Sequence, residues 1–170
     1  ANEPMWRGGL SGPSSFYIHA SLPLVSENGT SALLHEVVHI GMRASAVDGA
    51  DWIIEGMAEF YGLQLLLRSG TITKQRYQHA LDRLRAWGDD APTLCNESSS
   101  GPVTARATIL MRDLDREIKK GSGQKHNLDD VMSVLSRQDQ KITITDLANA
   151  VSELLPTGSK VLDAAGLDNC

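Results

Sequence analysis

His35-Glu36-Val37-Val38-His39 sets two imidazoles four residues apart, with a carboxylate next to the first. On an α-helix, residues four apart share a face one turn apart, so both rings can reach a single ion. Two neutral imidazoles and an oxygen ligand suit zinc. A glutamate at the second position of such a motif can take a proton from the water that the ion acidifies. A chain with five His can also hold HExxH by accident, so the motif needs support from elsewhere. A catalytic zinc with two His requires a further protein ligand and one open position. The stretch Asp51-Trp-Ile-Ile-Glu-Gly-Met-Ala-Glu-Phe-Tyr-Gly62 offers one. Glu55 follows His39 after fifteen intervening residues, 40–54. That gap lets one helix finish, a loop turn the chain, and a second helix bring a carboxylate back. Gly41 and Asp48-Gly49 supply stop and turn chemistry. Glu59, one helical turn past Glu55, is spaced to accept the other ring N–H of a metal-bound His. Two solvated glutamates would be the plainer reading, but Trp52-Ile53-Ile54 and Phe60-Tyr61 predict a buried helix, where carboxylates need partners.

The elements that must position these residues are mostly helical. Residues 31–42 read as a helix capped by Thr30 or Ser31, with Leu33, Leu34, Val37, Val38 and Ile40 making it apolar almost all round. Residues 52–69 form a second helix stopped by Gly70, and Thr73 caps a third over 74–87 with Tyr77, Leu81 and Leu84 on one face. Residues 88–102, rich in Asp, Ser, Gly and Pro, read as a long loop of the kind that borders active sites. A helix over 103–120 turns Val103, Ala107, Leu110 and Leu114 toward the core. Asn127 caps another over 128–136, Thr143 or Thr145 begins one reaching Leu155, and a short helix near 159–165 follows the break at Pro156-Thr-Gly158. Upstream, Ser15–Leu22 alternates and is rich in β-formers, so it reads as a strand with Tyr17 and His19 on one face. The expected fold class is therefore mainly α (α+β), a helical bundle with a small β element, in one domain spanning 1–170. Residues 1–30 form its β and loop part, and 31–170 its helical part.

HEVVH followed by WIIEGMAEFYG resembles the gluzincin metallopeptidases, in particular the leucyl/alanyl and glycyl aminopeptidase lineages, where HExxH precedes a W-x-x-E-G-x-A/T-E-Y/F-Y helix. Residues 31–62 carry the specific match. The resemblance implies one zinc per chain held by His35, His39 and Glu55, a general base at Glu36, a thermolysin-like catalytic fold, and a peptide or protein substrate. Those aminopeptidases usually place a somewhat longer stretch between the second His and the Glu than the fifteen residues here. Related peptidases also carry a Gly-Gly or Gly-Ala-Met loop upstream of HExxH, whose backbone approaches the substrate. Gly8, Gly9 and Leu10 fall there, and glycines allow that approach because no Cβ intervenes. In thermolysin-like folds an edge strand lies along the cleft and pairs with extended substrate. The strand read over 15–22 is the expected counterpart, which makes Tyr17 and His19 candidate cleft residues, with a structural or exposed role the plainer alternative for His19. The stretches around Leu128–Leu135 and Ile142–Asp146 again resemble the glycyl aminopeptidase group.

One part of the family pattern is altered. A Tyr-x-Arg/Lys-Gly motif opens a helix in such peptidases, and laid on this chain it places Thr104 at the tyrosine, Arg106 at the basic residue and Ala107 at the glycine. That tyrosine supports the oxyanion of the tetrahedral intermediate. Its work must pass to another group (Tyr17, His19, Tyr61 or His126), or the chain is a catalytically degenerate, zinc-binding pseudo-peptidase that acts as a peptide- or protein-binding module. A helical domain with an accidental HExxH is the third reading.

Composition narrows the class. The chain has 170 residues, 41% of them apolar, which suffices for one domain with a sizeable core. A formal charge of −5 with no basic stripe argues against a nucleic-acid partner. No apolar run approaches a membrane span, and no secretory signal is visible. The start at Ala1-Asn-Glu-Pro reads as a cut boundary or a mature end; removal of a targeting segment would make the protein secreted or periplasmic. The large amino-terminal β-domain of the related aminopeptidases has no counterpart, which leaves a fragment of a longer protein or a minimal peptidase with an open cleft. Cys95 and Cys170 are too few for a disulfide scaffold, and they either pair or stay free.

Overall fold

The residues flanking Glu55 are apolar on nearly every side, and the helix they form is the centre of the fold. The computed structural model describes residues 9–12, 14–95, 99 and 101–167. Among these, two strands and seven helices follow in the order β1 (Gly9–Gly12), β2 (Ser15–Ile18), α1 (Ala32–Met42), α2 (Asp51–Arg68), α3 (Lys74–Gly88), α4 (Pro102–Gly121), α5 (Leu128–Leu135), α6 (Ile144–Leu154) and α7 (Lys160–Asp163). The architecture is mainly α with a small β element, as the sequence predicts. The helical bounds differ from the expected ones by a residue or two at most ends, the usual uncertainty where a last turn frays.

In α2, Trp52, Ile53, Met57, Ala58 and Leu63 are almost wholly shielded from solvent. Each large apolar side chain removed from water contributes roughly 1.5–3 kcal/mol. One core cluster joins α2 to α1 through Val38 and Met42, to α4 through Val103, Met111 and Leu114, and to the last helices through Leu128, Val131, Leu147 and Val151. A second cluster packs Ala80, Leu81 and Leu84 of α3 against Leu63 of α2 and Ala105 of α4. The α2–α4 contact is close: a Cβ added at Gly56 would lie 2.8 Å from the Ala107 Cβ and 2.9 Å from its carbonyl carbon.

The helix ends follow local chemistry. The Ser31 hydroxyl accepts from the Leu34 amide, and Thr73 caps α3 in the same way. Asn127 with Asp130, and Thr143 with Asp146, form reciprocal capping boxes that start α5 and α6. α1 ends at Met42, the end that the sequence predicts. Met42 is anchored in the core, and Arg43, not Gly41, makes the left-handed turn, at φ 51°, its amide donating to the His39 carbonyl. The loop that returns the chain to α2 is pinned by the segment before α6. Ile142 donates to the Ser45 carbonyl (2.8 Å) and accepts from the Val47 amide (3.0 Å).

The β element also differs from expectation. Only Ser15–Ile18 of the predicted 15–22 strand is extended, and its antiparallel partner is Gly9–Gly12, within the stretch read as a glycine-rich loop. The register pairs Gly9 with Ile18, Leu10 with Tyr17, Ser11 with Phe16 and Gly12 with Ser15. The strand stops at His19 because the chain turns there: the Leu22 amide donates to the His19 carbonyl and the Ser21 amide to His19 Nδ1.

Candidate metal centre

His35 and His39 project from one face of α1, and α2 packs against that face with Glu55 and Glu59 one turn apart. His35 Nε2 lies 3.0 Å from His39 Nε2 and 3.1 Å from a Glu55 oxygen, and His39 Nε2 lies 3.3 Å from the other Glu55 oxygen. Ligand atoms held about 2.0–2.1 Å from a tetrahedral zinc are separated from one another by roughly 3.3 Å. The donor atoms thus stand at the spacing of neighbours around one such ion, and two imidazoles with one carboxylate leave a fourth position open. The residues fit zinc. On the far side of the ring, His35 Nδ1 meets Glu59 Oε2 at 3.0 Å. An ionised carboxylate only accepts, so Nδ1 carries the proton and Nε2 is turned to the triad.

With no ion between them, His35 and Glu55 stabilise each other's charged forms. Burial alone would push the His35 imidazole down, but its hydrogen bonds with Glu55 and Glu59 outweigh that and hold it up to about 10. Burial likewise pushes the Glu55 carboxyl up, and its hydrogen bonds with His35 and His39 overcome it, holding the group down to about 2. The histidine side chains are each only 15% exposed, so these bonds act with little screening by water.

Glu36 is 6% exposed, yet among the described residues no hydrogen bond or ion pair engages it. It is covered by β1: a Cβ at Gly9 would lie 2.5 Å from Glu36 Oε1 and 2.8 Å from its Cδ. Only a glycine lets the strand pass this close. Two cavities flank the triad and share Thr30, His35, Glu55 and Glu59. The first, of about 580 Å³, is walled by Gly9, Leu10 and Ser11 of β1 together with Glu36 and Asp51. The second, of about 510 Å³, lies toward α3 and α4 and is walled by Asn28, Arg83, Leu84, Trp87 and Thr104.

Of the residues singled out in the sequence, His35, Glu36, His39, Glu55 and Glu59 converge, with Gly9 and Leu10 beside them. Gly8 lies outside the described residues, as does Cys170 and with it the question of a Cys95–Cys170 pair. Tyr17 of β2 and His19, in the turn just after it, line neither cavity, because β1 rather than β2 is the strand at the cleft. Tyr61 is turned away. Burial pushes its phenol up, and the hydroxyl donates to Asp129 at 2.8 Å. His126 pairs with Asp130 at the start of α5. Thr104 does line the second cavity, its hydroxyl donating to the Ser99 carbonyl at 3.2 Å. Asn28, Asp51 and Arg83 carried no signal in the sequence, where they look like ordinary solvated polar residues. Trp87, on the polar face of α3 and half-exposed, was a readable signal.

Comparison with known proteins agrees with this geometry. A family model described as M61 glycyl aminopeptidase matches residues 33–117, half of the chain and the part that holds the triad, Glu36, Glu59, Arg83 and Thr104. No curated protein and no solved structure matches.

Proposed function

Because this chain belongs to the M61 glycyl aminopeptidase family, a family of peptidases, we propose that it is a zinc-dependent peptidase in which His35, His39 and Glu55 hold the ion and Glu36 is the general base. The observation that carries this reading is the set of donor atoms 3.0–3.3 Å apart beside a buried, unengaged carboxylate. Zinc, when bound there, polarises the scissile carbonyl and lowers the pKa of the attacking water to about 7. Glu36 takes the proton as the water attacks and hands it to the leaving amine. Glu59 fixes the His35 ring and its tautomer. The other edge of β1 has no partner strand among the described residues, so its main chain is available to an extended peptide. Asp51, in the same cavity, offers a carboxylate to the free amino terminus that an aminopeptidase must hold, which makes that class the first to assay.

A second reading, a zinc-binding pseudo-peptidase acting as a peptide-binding module, is favoured by one observation. Thr104 occupies the cavity at the position where the family resemblance expects a tyrosine, and losing one oxyanion donor costs on the order of a hundredfold or more in rate. Metal analysis with cleavage of a mixed peptide library, with and without chelator, separates the two. About one zinc per chain and chelator-sensitive cleavage are expected, with Glu36→Gln keeping the metal and losing roughly 10²–10⁴-fold in turnover. Zinc without cleavage by the parent chain would select the second reading, and normal turnover in Glu36→Gln would sink Glu36 as the base.

A further inference from the structure

The cavity toward α3 contains a cation that no acidic group among the described residues pairs with. Arg83 lines it together with His35, Glu55 and Glu59, but both carboxylates are engaged by imidazoles, Glu55 by His35 and His39 and Glu59 by His35. Among the described residues Arg83 makes no ion pair, whereas Arg85 and Arg112 both reach Asp113. Its partner among the described residues is neutral: Nη1 donates to Asn28 Oδ1 at 2.6 Å. A guanidinium carries five N–H donors in a rigid fork, so most of its capacity to bind a planar anion is unused.

The fork is also held in place. Asn28 sits in the turn that leads into α1, and this turn lies on α3. The adjacent Gly29 is left-handed (φ +88°), and a Cβ there would lie 3.1 Å from the Ala80 Cβ. Arg76, two turns before Arg83, donates to the Ser26 carbonyl of the same turn at 3.0 Å. Pinning an exposed arginine in this way removes much of the rotamer entropy that a ligand would otherwise have to overcome. Trp87, four residues on, presents an aromatic surface in the same cavity, and it is fixed against Gly101, where an added Cβ would lie 3.0 Å from the ring. A cation beside an apolar wall suits an amino-acid residue that carries a carboxylate on an aliphatic stem.

We propose that Arg83, oriented by Asn28, binds a carboxylate of the peptide substrate on the side of the triad away from β1. The carboxylate is the carboxyl terminus of a short peptide or the side chain of an acidic residue in a longer one. This rests on the peptidase reading above and assigns a specificity determinant to its second cavity.

The test measures binding by zinc-loaded Glu36→Gln protein, with Arg83 intact or replaced, to two matched pairs of peptides. One pair differs only in a free versus amidated carboxyl terminus; the other has blocked termini and differs in Asp versus Asn. With Arg83 intact, the carboxylate member of one pair should bind roughly 10–100-fold more tightly than its amide, as a charge-assisted hydrogen bond from arginine provides, and the pair that responds names the source. Arg83→Gln should bring that ratio close to one, with Arg83→Lys intermediate because a point charge replaces the fork. A ratio of one in both pairs with Arg83 intact would overturn the proposal. So would a ratio that survives Arg83→Gln, or an equal loss for carboxylate and amide, which would make Arg83 only a clamp on the turn. A parent chain that cuts no peptide yet keeps an Arg83-dependent ratio would refute the peptidase reading alone; cleavage without carboxylate preference would refute this inference alone.

Discussion

Replacing Gly9 with Ala should disable the site without unfolding the protein. The backbone of Gly9 does not adopt the left-handed region, so its conformation alone permits alanine; only the space is lacking. The new methyl would stand 2.5 Å from Glu36 Oε1, where ordinary contact begins near 3.4 Å, so the carboxylate has to retreat by about 0.9 Å. The atoms in the way belong to one flexible side chain, from Cγ, the nearest of them, to Oε1, so the whole side chain has to move, and the loss of folding free energy should stay within about 1–3 kcal/mol. The functional loss should be larger, because a misplacement of about 1 Å in a reacting constellation costs on the order of a hundredfold in rate. Gly9→Ala is thus expected to keep one zinc per chain, since Glu36 is outside the triad, and to lower kcat about a hundredfold with KM nearly unchanged. Gly12→Ala on the same strand is the control: its Cβ would meet Ser15 Oγ at 3.2 Å and nothing of Glu36. Steady-state kinetics beside metal analysis and a thermal melt read all three quantities. A kcat within about threefold of the parent would refute the reasoning, and so would a raised KM with kcat held, which would show the strand yielding instead of the base.

Two further changes probe the supports of the site. Glu59→Ala removes the acceptor that holds His35 Nδ1 at 3.0 Å, and zinc affinity measured by competition with a chelator should fall roughly ten- to a hundredfold; unchanged affinity would reduce Glu59 to a packing role. Gly56→Ala drives a methyl into the Ala107 backbone, which cannot swing aside as a side chain can, so α2 and α4 must separate. Urea unfolding should show a loss of about 1–3 kcal/mol, and an unaltered midpoint would mean that α2 and α4 have room for the methyl.

The sequence by itself determined whatever depends on residues near one another in the chain. The four-residue interval in His35–His39 needs only a helix to put both imidazoles on one face. The caps at Ser31, Thr73, Asn127 and Thr143 are bonds across three residues or fewer, and they start the helices close to where the residue types predict. The apolar run around Glu55 likewise announced a buried helix and, through it, carboxylates in need of partners. The left-handed turn that ends α1 falls at Arg43 and not at Gly41, since Met42 between them is buried in the core.

Tertiary structure decided everything that joins separate elements. Glu55 meets both imidazoles only because the loop after α1, held by Ile142 nearly a hundred residues later, returns α2 across α1. That β1 and not the more strand-like 15–22 stretch covers Glu36 follows from how the hairpin lies on α1, and alternation along a strand says nothing about which edge faces a cleft. Tyr61, beside the site in sequence, is taken by Asp129, while Arg83 and Asn28, each unremarkable alone, meet across a turn inside the cavity. Helical spacing fixes which residues share a face. Which faces then meet is set by packing over long chain separations, and no local pattern encodes it.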